Sequence, residues 1–141
     1  MTKSPEGTVL YVDDDASNRN TFALVFREAG FEVKEAASGS EALRLAEEKP
    51  DVVILDVNLP DINGVEVCRH IKMHPATRAI PVMHMSAVFI SPEDKTHALD
   101  EGADAYVIKP VEPRELVAQV KALLRIHLVR LQEFEDRKSV V

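Results

Sequence analysis

The sequence predicts an α/β domain in which a parallel sheet is covered by helices on both faces. Along the 141 residues, five short apolar runs alternate with longer amphipathic segments. Most of these runs are almost continuously apolar, which is typical of strands buried on both faces of a parallel sheet. Polar or charged side chains follow four of the five runs, at the strand ends where ligand sites form in such sheets.

The five strands are predicted at the apolar runs. The second run, FEVKEA, alternates apolar and polar residues and should be half exposed, whereas the third, DVVILD, is apolar on both faces and should be central. The predicted strands cover residues 8–12, 31–36, 51–56, 80–87 and 105–109.

The helices are predicted between and after the strands, from their apolar spacing and their end signals. The first ends at Gly30, a residue that commonly caps a helix C-terminus. The second has Ser40 as a candidate N-cap and Pro50 as its stop, and the fourth begins with Ser91 and Pro92. The predicted helices cover residues 18–30, 38–50, 64–74, 91–103 and 112–138.

The last predicted helix is longer than a domain of this size needs, because about 26 residues with a rise of 1.5 Å span roughly 39 Å. We expect residues 1–125 to form one domain and residues 126–141 to extend the helix beyond it. The extension would form a two-helix coiled coil in a homodimer or a junction to a further domain, with a solvated tail as the alternative. Its seam steps by three and four residues through Val117, Val120, Leu124, His127, Leu131 and Phe134.

The composition sets limits on location and partners. The net charge of −7 argues against a surface for nucleic acid or for an anionic membrane, since both need clustered Lys and Arg. Cys68 is the single cysteine, so no internal disulfide can form, which fits a reducing compartment. No stretch approaches the roughly 20 apolar residues of a membrane span. We therefore expect a cytoplasmic protein with no direct contact to nucleic acid or membrane.

Three aspartates, Asp13, Asp14 and Asp15, follow the first predicted strand, and Asp56 ends the third. Like charges crowded against an apolar strand repel one another. If the first and third strands are neighbours, Asp13, Asp14 and Asp56 converge, and a ligand set of oxygens alone favours a hard cation such as Mg²⁺. The alternative is that these residues cap the following helix and turn, which is the role expected of Asp15.

Two further polar residues end the remaining strands. Lys109 follows the fifth strand, and its ammonium could pair with Asp56 or with an oxygen that Asp56 acquires. Ser86 ends the fourth strand and could donate its hydroxyl to the same oxygen. Pro110 after the lysine allows a cis peptide bond. Each residue alone could be a solvated surface position, but together with Asp56 and a divalent cation they suit phosphoryl transfer to a carboxylate, giving an acyl phosphate.

Four motifs in this order resemble the receiver domain of bacterial two-component response regulators, of the chemotaxis-regulator type. The motifs are LYVDDD, VVILDVNLPDINGVEV, PVMHMSA and GADAYVIKP, and the resemblance extends from about residue 8 to about residue 124. It implies a doubly wound, flavodoxin-like sheet with strand order 2-1-3-4-5. That order would place the first and third strands side by side, as convergence of the carboxylates requires.

The resemblance also implies the metal site and the phosphoacceptor. Asp56 matches the phosphoacceptor position. Asp14 matches the position that binds Mg²⁺ directly, and Asp13 the position that binds it through water. Asn58 matches the position whose backbone carbonyl binds the metal.

The remaining matched positions concern the response to phosphorylation. Ser86 matches the hydroxyl residue that binds the phosphoryl group, and Lys109 matches the lysine that binds the same group. Tyr106 matches the aromatic residue that changes orientation on activation. Asn58 and Val88 flank the site and are expected to tune the attack of water on the acyl phosphate.

The function implied by the resemblance is signalling controlled by phosphorylation. The domain would take a phosphoryl group from a partner sensor histidine kinase or phosphotransfer protein, and would catalyse this transfer and its own dephosphorylation. The conformational change that follows phosphorylation would then alter a protein-binding surface. One alternative is a Mg²⁺-dependent phosphohydrolase similar to the haloacid dehalogenase family, but Asn58 stands where such enzymes carry a general-acid aspartate. The other is a pseudo-receiver without the chemistry, which would lack Asp56, Lys109 or an acidic residue that this chain retains.

Overall fold

The computed structural model describes residues 6–86, 92–100 and 102–139. Within them, five parallel strands form one sheet with the order β2-β1-β3-β4-β5. The predicted doubly wound, flavodoxin-like fold is confirmed. The elements are β1 (Thr8–Val12), α1 (Ala16–Glu28), β2 (Glu32–Ala36), α2 (Gly39–Ala46), β3 (Val52–Asp56), α3 (Gly64–Met73), β4 (Val82–Ser86), α4 (Pro92–Asp100), β5 (Ala105–Ile108) and α5 (Pro113–Ser139).

The sheet separates two apolar layers, because successive strand residues point to opposite faces. On one face α1 and α5 cover the strands, and on the other α2 and α3 do so. Burial of each large side chain in these layers contributes roughly 1.5–3 kcal/mol. The first layer includes Tyr11, Phe22, Phe26, Ile54, Met85, Leu116 and Val120, and the second includes Leu10, Val12, Val53, Leu55, Val67, Cys68 and Ile71.

The register of the strands brings the polar strand ends to one edge of the sheet. In the β1–β3 pair Val12 lies opposite Leu55, so that Asp13 and Asp56 follow at the same level. In the β4–β5 pair Ser86 lies opposite Ile108, directly before Lys109. The four polar strand ends predicted from the sequence therefore lie together at this edge of the sheet.

The start of α1 differs slightly from the prediction. The helix begins at Ala16 rather than at residue 18, because Asp15 is its N-cap and accepts a hydrogen bond from the Asn18 backbone N–H at 3.1 Å. The helix-start role expected of Asp15 is thus confirmed. Ser91, the predicted N-cap of the fourth helix, lies outside the described residues.

The predicted N-cap of α2 was wrong. Ser38, not Ser40, caps the helix, and its hydroxyl oxygen accepts from the Glu41 backbone N–H at 3.2 Å. Ser40 instead donates its hydroxyl to Asp61, at 2.6 Å. The Asp61 carboxylate also accepts from the backbone N–H groups of Gly39 and Ser40, and these bonds lower its pKa, the Ser40 hydroxyl having the largest effect. Asp61 thereby ties the β3–α3 loop to the start of α2.

The extended C-terminal helix is confirmed, and α5 runs for 27 residues. Val117 and Val120, the first part of the predicted seam, are buried in the domain core, whereas the side chains of Leu131 and Phe134 lie outside the described ones. Among the side chains that the structure describes beyond residue 125, the exposed large apolar ones are Ile126, Leu128 and Val129. In the described part of the chain, no helix combines the length and the apolar character needed to cross a membrane.

Candidate metal and phosphoryl-transfer site

Three carboxylates converge at the edge where β1 and β3 end. Asp13, Asp14 and Asp56 each present an oxygen within 4.8 Å of the others. Asp13 and Asp56 are 2 % and 8 % exposed, whereas Asp14 is exposed to solvent. Such a set has only oxygen ligands, and its open side leaves room for water. These are the features that suit Mg²⁺, which keeps several waters when proteins bind it.

Asp13 is held on both of its carboxylate oxygens. Oδ1 accepts from the Asp15 backbone N–H at 2.9 Å, and Oδ2 lies 3.3 Å from Lys109 Nζ. Its backbone continues the sheet by donating to the Ala36 carbonyl at 3.0 Å, and its own carbonyl accepts from Arg19 Nη1 at 2.7 Å. The orientation of Asp13 is therefore set by the first turn of α1 and by the sheet together.

Asp56, at the end of β3, is likewise held on both of its carboxylate oxygens. Oδ1 accepts from the Asn58 backbone N–H at 2.9 Å, and Oδ2 accepts from Lys109 Nζ at 2.9 Å. Gly64 closes the loop behind it, since a Cβ at Gly64 would lie 2.4 Å from the Asp56 carbonyl oxygen. This role of Gly64 was not predicted from the sequence, although its place after the NLPDIN turn is a signal of close backbone approach.

Lys109 is the cation that faces the carboxylates. Its side chain is 13 % exposed and contacts both Asp56 and Asp13. Burial lowers the pKa of Lys109, but the hydrogen bond and charge of Asp56, joined by those of Asp13, outweigh that effect and raise it. The ammonium therefore stays charged and offsets the repulsion between the aspartates. Its backbone N–H donates to the Ser86 carbonyl, and the Lys109–Pro110 peptide bond is cis.

The other predicted residues surround this centre. Ser86 is buried at the end of β4, and Tyr106 is half-buried on β5. Asn58 is exposed and follows Asp56 by two positions, so its backbone lies beside the carboxylate. Val88, which was expected to tune the attack of water, lies outside the described residues.

Two buried polar side chains near the site were not assigned a role from the sequence. The Tyr11 hydroxyl lies 3.8 Å from Met85 Sδ, and burial, followed by the charges of Asp13 and Asp56, raises the pKa of Tyr11, so that the phenol stays protonated. His84 lies in β4, fully buried. Burial lowers the pKa of His84 to about 4, although the nearby Leu55 backbone acts in the opposite direction. The imidazole is therefore neutral near neutral pH.

The fold and the site together define the receiver class of signalling domains. The family model described as the response regulator receiver domain matches residues 9–121, and the chain belongs to this family. Receiver domains act in two-component signalling controlled by phosphorylation, and they generally use Mg²⁺ bound by acidic residues.

Individual relatives support the same assignment. The chain is 40 % identical over 118 residues to the DNA-binding response regulator MtrA of Mycobacterium tuberculosis, covering 83 % of this chain and 50 % of that protein. It is 40 % identical over 119 residues to the phosphate regulon transcriptional regulatory protein PhoB of Pseudomonas aeruginosa, covering 84 % and 52 %. The chain thus spans about half the length of these curated relatives.

A solved structure agrees with the fold and the family. The chemotaxis response regulator CheY4 of Vibrio cholerae superimposes with a TM-score of 0.78 at 32 % identity, covering 86 % of this chain and 99 % of that one. Unlike the two longer relatives, CheY4 is matched along nearly the whole of its chain in that structure. The receiver fold therefore accounts for almost all of the CheY4 chain.

Proposed function

We propose that Asp56 accepts a phosphoryl group from a phosphohistidine of a partner sensor histidine kinase or phosphotransfer protein in the cytoplasm. The observation that carries the proposal is the position of its carboxylate, which is fixed by Asn58 and Lys109 and lies within 4.8 Å of the other two carboxylates. A carboxylate oxygen of Asp56 would attack phosphorus, the P–N bond would break, and its electron pair would leave on the donor imidazole. The product is an acyl phosphate on Asp56.

The proposed metal ligands are Asp13, Asp14, Asp56 and the backbone carbonyl of Asn58. When bound, Mg²⁺ would offset negative charge on the phosphoryl oxygens. Asp13 is the most buried of the three aspartates, at 2 % exposed, which supports a contact through water for this residue. Asp14 is exposed, and within the described residues its side chain has no hydrogen bond, which supports a direct contact for it.

Lys109, Ser86 and Tyr106 would respond to the new group. The ammonium of Lys109 donates to Asp56 Oδ2 in the unphosphorylated protein and would bind a phosphoryl oxygen after transfer. The Ser86 hydroxyl would donate to another, and Tyr106 would change orientation on β5. The surface that changes would then be formed by α4, β5 and α5, on which Ile108 is an exposed apolar side chain.

Incubation with Mg²⁺ and a small acyl phosphate, followed by intact-mass measurement, tests this assignment. The wild-type protein should gain the mass of one phosphoryl group, and Asp56→Asn should gain none, because an amide cannot form the acyl phosphate. Asp15→Asn is the matched control: it removes a neighbouring carboxylate, and asparagine caps a helix as well as aspartate does. An adduct that persists in Asp56→Asn, or that is lost in Asp15→Asn, would contradict the proposal.

For the ends of the chain we propose a receiver domain over residues 1–125 and a helical extension over residues 126–141 that pairs with a second copy. Ile126 and Val129 lie three residues apart on α5 and are 50 % and 57 % exposed. They lie off the seam predicted from the sequence, in which Leu124 packs against the domain core, so pairing through this second face of the helix would bury both. Light scattering at high protein concentration should give a dimer, which Val129→Glu should dissociate. Leu24→Glu is the control, since Leu24 is equally exposed but lies on α1. A monomeric mass with and without beryllofluoride would overturn the pairing and leave a junction to a further domain or a solvated tail as the alternatives.

The expected absence of direct contact with nucleic acid or membrane stays a prediction. It is supported by the net charge of −7, which disfavours binding to phosphate-rich surfaces. MtrA is named as DNA-binding, and this chain corresponds to about half of that protein.

A further inference from the structure

His84 is a buried polar residue whose environment lacks the expected partners. The side chain is 0 % exposed, and in the part of the chain that the structure describes neither ring nitrogen makes a hydrogen bond of normal length and angle, although the Leu55 backbone lies close enough to raise the pKa of the ring slightly. Such groups are rare, because nearly all buried polar atoms are hydrogen-bonded in native proteins. A neutral imidazole carries its proton on one nitrogen, and the other is a good acceptor. One ring nitrogen of His84 can therefore accept a hydrogen bond that no described residue donates.

Tyr106 is an aromatic neighbour of His84. The two residues lie directly opposite each other in the β4–β5 register, and their ring centroids are 5.9 Å apart with the planes inclined by 50°. Tyr106 is only half-buried, whereas His84 is fully buried. A turn of the tyrosine ring towards the interior would thus bring it towards the imidazole without movement of either strand.

Ser86 lies on the same face of β4, two residues beyond His84, and is 2 % exposed. The imidazole therefore stands beside both residues that the proposed function assigns to the response. This position connects the phosphoryl-binding end of β4 with the aromatic ring on β5.

We propose that His84 accepts a hydrogen bond from the Tyr106 hydroxyl in the phosphorylated state and thereby stabilises the inward position of the ring. The inference rests on the proposed phosphorylation of Asp56 and on the reorientation of Tyr106. His84 acts through Tyr106 and is a positioning residue. Its contribution is selective, because an interaction biases a two-state equilibrium only when it differs between the states. Burial keeps the ring neutral near neutral pH, so that the acceptor nitrogen stays available.

Nitrogen NMR of protein with ¹⁵N-labelled histidine rings tests the hydrogen bond directly. Spectra are compared with and without Mg²⁺ and beryllofluoride, an analogue of the phosphoryl group, and fluorine NMR reports occupancy of the site. The acceptor nitrogen of His84 should shift towards lower frequency on occupancy, and this shift should be absent in Tyr106→Phe, which lacks only the hydroxyl. Tyr11→Phe, which removes a hydroxyl on the opposite face of the sheet, should retain the shift.

The outcomes separate the two proposals. An occupied site without a His84 shift, or with the same shift in Tyr106→Phe, overturns the inference alone. A site that never binds beryllofluoride overturns the proposed function and the inference with it.

A second variant series tests the energetic consequence. In a Tyr11→Phe background Tyr106 is the one tyrosine of a chain without tryptophan. Its fluorescence emission therefore reports the orientation of the Tyr106 ring. His84→Met should weaken the apparent affinity for beryllofluoride about fivefold, the value expected for one hydrogen bond made in the occupied state. His84→Gln, whose amide oxygen accepts a hydrogen bond, should recover much of the loss. Equal affinities for histidine and methionine at this position would contradict the role.

Discussion

Lys109→Met is expected to lower the free energy of unfolding by about 3 kcal/mol in metal-free buffer, the lower end of the range for breaking a buried ion pair. The lower end applies because Asp14 leaves one side of the crevice open to water. The substitution removes the ammonium that lies 2.9 Å from Asp56 Oδ2 and 3.3 Å from Asp13 Oδ2, while both carboxylates stay buried. Added Mg²⁺ should recover much of the loss, because the cation then has no competing ammonium. Urea unfolding with a chelator and with Mg²⁺ measures both effects.

Lys72→Met is the matched control for this experiment. The Lys72 ammonium also lies 2.9 Å from a carboxylate, Asp104 Oδ2, and its side chain is 18 % exposed compared with 13 % for Lys109. Loss of the Lys72 ammonium should destabilise the protein, because it removes the ion pair between α3 and Asp104. The stabilisation by Mg²⁺ should stay at the wild-type level. If both variants gained equally from Mg²⁺, Lys109 would not be the charge that balances the metal site.

Acidification from about pH 7 to about pH 5 is expected to destabilise the wild-type protein by about 2 kcal/mol through His84 alone. Burial lowers the pKa of His84 from 6.5 to about 4, so in this window the unfolded chain binds a proton that the folded protein does not. Stability therefore rises with pH from about 4 and is complete above about 6.5. Chemical unfolding at several pH values measures the slope.

Two variants isolate this contribution. His84→Met should remove about 2 kcal/mol of the pH dependence, because methionine fills the buried site without titrating. His74→Gln should leave the dependence in place, since His74 is exposed in the folded protein. A slope in His84→Met as steep as in the wild type would show that other groups cause the acid sensitivity.

The sequence predicted the elements and the site that depend on local pattern. Continuous apolar runs identified the strands, and the polar residues that end them lie at one edge because parallel strands all finish there. Asp13 and Asp56 are neighbours for this reason, once β1 pairs with β3.

Features that depend on distant partners were not predictable in this way. Ser38 caps α2 in place of Ser40 because Asp61, 21 residues further along the chain, engages Ser40. The unpaired nitrogens of His84 depend on what surrounds the ring in the folded protein, which no sequence pattern reveals. Likewise Val117 and Val120 fit a coiled-coil repeat but pack in the core, since the same spacing serves both purposes.

The electrostatics of the aspartate run differ in one respect from those predicted from the sequence. From the sequence, a cation was expected to oppose Asp13, Asp14 and Asp56, with Lys109 as a partner of Asp56. In the structure Lys109 contacts both buried carboxylates, so that the site has a built-in counter-charge. The lysine would then exchange carboxylate oxygens for phosphoryl oxygens on transfer, which couples β5 to the event at β3.

Chemical mapping of the acyl phosphate identifies the residue that carries the phosphoryl group. Protein treated with Mg²⁺ and a small acyl phosphate is reduced with borohydride, which converts an aspartyl phosphate into homoserine, and the peptides are then mapped by mass spectrometry. We expect homoserine at position 56 and unchanged aspartate at positions 13 and 14. Homoserine at position 13 or 14, or none at all in protein that had gained the phosphoryl mass, would contradict it.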